Sequence, residues 1–259
     1  KGLALVEGLP EIPYDKWLRQ KELFDMRTEQ KQTELERSLV KYSVNSERLA
    51  STRQDGKRNE GGEERRTMFD VKHAILRDDT SEYMFFRNQY STWSRLLFPR
   101  LREELLLAFP DSGLKDSHLT ESISRHNFYP PGGCCGAHSD YGLVTLFCSN
   151  SMGLQVLVED DWLPVLQGEL HLLIAGDMME RLTHGLVPAV VHRAEVPASQ
   201  CQEEEETVRQ SGVFFVQPDA DDHIAPSAGF VPVTGVNNDL YAPGPYWAWH
   251  EKKKRLAFD

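Results

Sequence analysis

Gly136-Ala137-His138-Ser139-Asp140-Tyr141-Gly142-Leu143-Val144-Thr145-Leu146-Phe147 sets two ligand-type side chains just ahead of an apolar, partly β-branched run. Gly142 to Cys148 has the length and composition of a buried strand, and the same grammar extends on both sides. Short β-rich runs separated by Gly, Pro and Asp fall at Glu121 to Tyr129, Leu154 to Val158, Trp162 to Val165 and Leu170 to Ala175. Others follow at Ala189 to Val196, Thr207 to Val216 and Gly229 to Val233. About eight such strands in roughly 120 residues point to a sandwich or barrel of the jelly-roll kind.

The sequence before Ser117 reads differently. Gly2 to Val6 looks like a buried strand, and Tyr14 to Val40 carries Trp17, Leu18, Leu23 and Phe24 at helical spacing. Ser43 to Arg66 is polar, and Gln54 to Arg66 is expected to be a long loop or flap. Helical periodicity returns over Ser81 to Phe109, with Pro99 expected to kink or split it, and Tyr246 to Phe258 reads as a final helix. The expected fold is mainly β with helical support: a double-stranded β-helix core, N-terminal helices packed outside and a C-terminal helix. It is expected as a single domain over 1–259, with helical support in 1–116, the β-core in 117–235 and a C-terminal helical segment in 236–259.

With 259 residues, 40% hydrophobic and 27% charged, the chain can bury one large core. Its formal charge of -11 opposes a polyanion, so nucleic acid is excluded as the expected partner. Apolar runs such as Leu105 to Phe109 are far shorter than a membrane span. The four cysteines, two of them adjacent, do not read as a secreted disulfide framework, which leads us to expect a reducing, cytoplasmic setting. The chain opens on Lys1, and upstream sequence is expected to be missing, with any targeting peptide in it.

His138 and Asp140 are two residues apart, so in an extended segment both project from one face. His192 lies in another expected strand. Two imidazoles and one carboxylate on one face of a six-coordinate ion leave three positions open, the arrangement of non-haem iron(II) oxygenases. Asp177 with Glu180 has the spacing of an N-capping pair opening a short helix, and His184 before Gly185 reads as a turn residue. Cys134 and Cys135 read as small packing residues, since no second cysteine pair exists to complete a zinc site. Arg209 and Ser211 share a face of the last long strand, where a guanidinium and a hydroxyl converge as a carboxylate would require.

Several of these motifs occur in one order: Gly136 to Phe147, Gly153 to Val156, Trp162 to Val165, Gly176 to Gly185 and Val191 to Arg193. In that order and spacing the chain resembles the isopenicillin N synthase-like family of iron(II)/2-oxoglutarate-dependent oxygenases, closely over Ser122 to Pro218. The resemblance implies that His138, Asp140 and His192 hold iron(II). It also implies that Arg209 and Ser211 bind the distal carboxylate of 2-oxoglutarate, and that Asn127 and Tyr129 match the family's N-x-Y element, whose tyrosine reaches the same cosubstrate. The implied reaction uses dioxygen to hydroxylate, desaturate or cyclise at a C–H bond of a small molecule, releasing succinate and carbon dioxide. Natural-product metabolism is the expected setting and a monomer the expected state.

Arg125, two residues before Asn127, points to the same side in a regular strand and needs an anionic partner, either an acidic side chain at the rim or a substrate carboxylate. Phe215 is the second candidate substrate contact. Between His192 and Arg209 the acidic run Glu203 to Glu206 is expected to be a solvated loop insertion. Two other readings remain open: an iron-dependent oxidase of the same fold that does not use 2-oxoglutarate, and a non-catalytic binding protein on a decayed scaffold.

Overall fold

A computed structural model of the chain describes residues 2–25, 41–45, 66–72, 84–114, 117–165, 171–197, 208–231 and 242–258. Among the described residues most strands form two antiparallel sheets, and His223–Ile224 pairs with Gly244–Pro245 as a separate two-stranded ribbon. The larger contains β1 (Leu3–Val6), β2 (Lys41–Asn45), β3 (Arg66–Lys72), β4 (Ile123–Tyr129), β6 (Val144–Ser149), β9 (His171–Ala175) and β11 (Arg209–Val216), ordered β1-β9-β6-β11-β4-β3-β2. The smaller contains β5 (Cys134–His138), β7 (Leu154–Val158), β8 (Asp161–Pro164) and β10 (His192–Glu195), ordered β5-β10-β7-β8. Successive strands cross between the sheets, and the architecture is the jelly roll read from the sequence.

Period-two alternation divides the larger sheet into two faces. His126 and Phe128 of β4, Gly212 and Phe214 of β11, and Leu146 and Cys148 of β6 turn outward to the helices α1 (Tyr14–Asp25) and α2 (Met84–Ala108). There Trp17 of α1 and Trp93 of α2, both fully buried, close over Gly212, where an added Cβ would stand 2.4 Å from one indole and 2.9 Å from the other. The opposite face contributes Phe147, Leu172, Ile174 and Val213 to a second apolar cluster, completed by Leu154 and Val156 of the smaller sheet. This inner cluster holds the sheets face to face. A small helix, α3 (Asp177–Leu182), follows β9. The helix α4 (Tyr246–Phe258) anchors through Tyr246, whose hydroxyl donates to Gln217 Oε1 at 2.8 Å.

Several sequence expectations need correction. Pro99 lies inside one continuous 25-residue helix, α2, so it does not split the helix. The polar stretch from Ser43 is not all loop: Lys41–Asn45 pairs with Arg66–Lys72, and β3 adds to β4. The alternation of Thr67, Phe69 and Val71 in β3 is the strand signal that its charged neighbours obscure. Cys134–His138 is a strand although Cys-Cys-Gly-Ala-His has no apolar period. Gly229 to Val231 is a turn followed by irregular chain, whereas 232–233 lie outside the described residues, as do 26–40, 54–65 and the acidic run Glu203 to Glu206.

Candidate metal centre and carboxylate pocket

His138 ends β5 and His192 begins β10, and the two are direct partners in the ladder between those strands. Two residues along β10, Ala194 pairs with Cys135, so β5 carries one extra residue around Gly136 and Ala137. Such a bulge re-aims side chains. It brings Cys135 Sγ to 3.9 Å from His138 Nδ1, where strict alternation would put them on opposite faces. Asp140 follows in the turn to β6 and is buried.

Nδ1 of His138 lies 2.8 Å from the Gly136 carbonyl, and Nδ1 of His192 lies 3.0 Å from that of Val190. A carbonyl only accepts, so each Nδ1 carries the proton and each Nε2 keeps its lone pair. Those Nε2 atoms face Asp140, at 3.7 Å from Oδ1 for His138 and 3.9 Å from Oδ2 for His192. Burial, then the neighbouring His138, pushes the His192 pKa down and keeps its imidazole neutral. Asp140 Oδ2 is buried with no hydrogen-bond partner among the described residues. An orphaned carboxylate oxygen and two lone-pair nitrogens, all within 4.8 Å of one another, fit a divalent cation.

Arg209 and Ser211 lie on β11, beside β4 in the larger sheet. In the β11–β4 ladder Arg209 opposes Tyr129 and Ser211 opposes Asn127. Asn127 Nδ2 donates to Ser211 Oγ at 3.2 Å. The Arg209 guanidinium is 4.8 Å from the Tyr129 ring centre and donates from Nε to the Met152 carbonyl at 3.0 Å. Its Nη1 and Nη2 are buried without a hydrogen-bond partner among the described residues. Burial lowers the Arg209 pKa, a cost that an anion in the pocket would relieve. The same burial raises that of Tyr129, so its hydroxyl stays protonated and able to donate. The donor set fits a buried carboxylate.

Arg125 and Phe215 line one cleft with His138, Asp140 and His192, together with Asn127, Tyr129, Cys135 and Phe147. Arg209 and Ser211 are not among the residues lining its open part. Arg125 has the acidic rim partner: it grips Asp70 through Nε and Nη2, both at 2.7 Å, with its guanidinium 5.3 Å from the Phe215 ring centre. Sequence reasoning missed Arg66, which also lines the cleft and donates from Nη1 to Asn127 Oδ1 at 2.9 Å. It also misread Asp177. Gly176 is the cap of α3 and makes no side-chain bond, Glu180 accepts from the Ala189 amide, and Asp177 turns to Ser139 and Lys253.

Residues 120–218 match the sequence model of the 2OG-Fe(II) oxygenase superfamily. Among curated relatives, a probable flavonol synthase 5 of Arabidopsis thaliana is 31% identical over 148 residues, 51% of this chain and 43% of that protein. The 2-oxoglutarate-dependent dioxygenase ecdG of Aspergillus rugulosus is 32% identical over 146 residues, 51% of this chain and 42% of its own length. The chain therefore spans less than half of either relative. Among solved structures, a full-length Neurospora crassa protein in complex with alpha-KG superposes with a TM-score of 0.69 at 18% identity, covering 99% of this chain and 86% of that one. JOX2 in complex with 2OG, Fe and JA gives 0.68 at 19% identity, covering 98% and 78%. These likenesses bear on the fold, whereas the sequence match takes in every candidate residue from Arg125 to Phe215: a 2OG-Fe(II) oxygenase superfamily domain is found over residues 120–218.

Proposed function

We propose that this protein is an iron(II)- and 2-oxoglutarate-dependent dioxygenase of the isopenicillin N synthase-like group, oxidising a C–H bond of a small, carboxylate-bearing molecule. One observation carries the reading: His138, Asp140 and His192 converge in a cleft that also holds Tyr129, against whose ring the buried Arg209 guanidinium packs with two terminal nitrogens that have no hydrogen-bond partner among the described residues. Iron(II) with 2-oxoglutarate and dioxygen supplies the oxidation, yielding succinate and carbon dioxide.

The chain supplies placement. His138, Asp140 and His192 hold the ion, with both tautomers fixed by backbone carbonyls. Arg209 takes the distal carboxylate of 2-oxoglutarate, Ser211 adds its hydroxyl, and Asn127 orients Ser211. The protonated Tyr129 donates to the same cosubstrate. Phe147, Leu154 and Val213 make the floor of the cleft apolar and exclude water, while Arg125 and Phe215 form the wall against which the prime substrate is held. The expected substrate is a natural-product precursor and the expected state a cytoplasmic monomer, and the formal charge of -11 opposes a nucleic-acid partner.

The test is incubation of purified protein with iron(II), 2-oxoglutarate and pooled candidate metabolic acids, following succinate. Substrate-stimulated, iron-dependent succinate is the expected result. Iron-dependent substrate loss without consumption of 2-oxoglutarate would turn the assignment to the oxidase. Absence of metal binding would leave the non-catalytic scaffold.

A further inference from the structure

Asp177 is buried, at 7% exposure, on the far side of the turn that carries Asp140. Its backbone N–H donates to the Asp140 carbonyl at 2.7 Å, and its Oδ1 accepts from Ser139 Oγ at 3.0 Å. It thus grips both residues that follow His138. Its Oδ2 faces Lys253 Nζ of α4 at 3.1 Å, and the Lys253 side chain is itself only 12% exposed. Backbone bonds from Gly176 to the Leu143 carbonyl and from Met178 to that of Gly142 fasten the start of α3 to the same turn. Gly176 allows this approach, since a Cβ there would stand 2.3 Å from the Gly142 oxygen. A second contact joins α4 to the turn, where Tyr141 meets His250 edge to face at 5.4 Å.

We infer that Asp177 is a positioning residue for the metal ligand Asp140, and that Lys253 and Ser139 complete a chain through which docking of the C-terminal helix sets metal affinity. The inference rests on His138, Asp140 and His192 being the ligands. Ser139 Oγ is engaged by Asp177 and ties the turn to α3. Lys253 compensates the buried carboxylate, so that Asp177 accepts from Ser139 without carrying an unpaired charge. Removing either end loosens the carboxylate that must meet the ion while the jelly roll stays intact.

The experiment is calorimetric titration of the metal-free protein with Mn(II), alongside circular dichroism and the visible absorption of the Co(II) form. Ser139→Ala and Lys253→Met should each weaken Mn(II) binding about tenfold or more, the usual size of effect for groups that orient a metal ligand. Each should also alter the Co(II) spectrum, and Lys253→Arg should restore both readouts. A merely structural pair would lower the melting temperature and leave the affinity of the folded protein unchanged, so wild-type Mn(II) affinity in folded Ser139→Ala and Lys253→Met overturns the inference. Should Lys253→Met fail to fold, Ser139→Ala, which removes one hydroxyl and no charge, decides alone. Asp140→Ala is the control. Its loss of Mn(II) binding beside wild-type affinity in the other two would reject the positioning chain alone, whereas its retention of binding would reject the ligand assignment and this inference with it.

Discussion

His138 and His192 stand directly opposite each other across the β5–β10 ladder, with ring centroids 4.3 Å apart. Both rings are turned by backbone carbonyls two residues upstream, Gly136 for one and Val190 for the other. The site is thus made by sheet register more than by loops. Two strands far apart in sequence must pair in one register for the imidazoles to meet, and a slip of one residue would send one ring to the other face.

Arg209→Met should raise the 2-oxoglutarate requirement by about a hundredfold or more, because a carboxylate left unpaired in a buried pocket loses several kcal/mol. Mn(II) affinity should change little. Without 2-oxoglutarate the variant should be no less stable than the parent, since the cation removed has two buried nitrogens without partners among the described residues. Succinate kinetics, metal titration and thermal melts check the three parts. Unchanged dependence on 2-oxoglutarate would favour the oxidase.

The pairs whose geometry follows from a two-residue period were legible in the sequence, Arg209 with Ser211 and Asn127 with Tyr129, whereas His138 and Asp140 were paired by an extended-strand argument although Asp140 lies in the turn beyond β5. The illegible ones depend on pairings that no local pattern encodes. Arg66 reaches Asn127 from 61 residues away, on a strand whose charges resemble a loop. Cys135 enters the cleft only because of the bulge in β5. Asp177 and Glu180 have the spacing of a capping pair, yet the buried turn and α4 offer Asp177 better partners than the free amides of its own helix. Local propensity lost there to tertiary contact.

His126 should set an acid limit on stability. It lies between Trp17 and Trp93 on the outer face of β4, and burial pushes its pKa down to about 3 from an ordinary 6.5. Between those values the unfolded chain binds the proton and the folded chain does not, so stability is full above about 6.5 and falls as the pH drops toward about 3. His126→Phe should flatten this part of the curve. Urea midpoints at several pH values between about 4 and 7 would show it, and an unchanged slope would assign the acid limb to other groups.

Gly212→Ala should destabilise by about 1–3 kcal/mol, the usual cost of overpacking. The new methyl would press on Trp17, Trp93 and Cys148 together, on a face where both helices meet the sheet. Because the lesion is on the outer face, Mn(II) affinity of the folded protein should hold. Equilibrium denaturation with metal titration tests both halves.

Arg125→Leu separates a structural from a substrate-binding role. The Arg125–Asp70 fork is bidentate, but the Arg125 side chain is 25% exposed, so its loss should cost about 2 kcal/mol, less than the roughly 3–5 kcal/mol of a fully buried pair. If the pair is only a brace, acidic substrates and their neutral amides should lose turnover equally. A guanidinium held by Asp70 and stacked near Phe215 is also preorganised, and its remaining donor edge can meet a substrate carboxylate at little further entropic cost. In that case KM should rise for the acid more than for the amide, 2-oxoglutarate affinity should stay constant, and more succinate should form without oxidised product. The outcome we expect is the second, because Arg125 lines the same cleft as His138, Asp140 and His192. Parallel kinetics with one acid and its amide, at matched folded fraction, decide it.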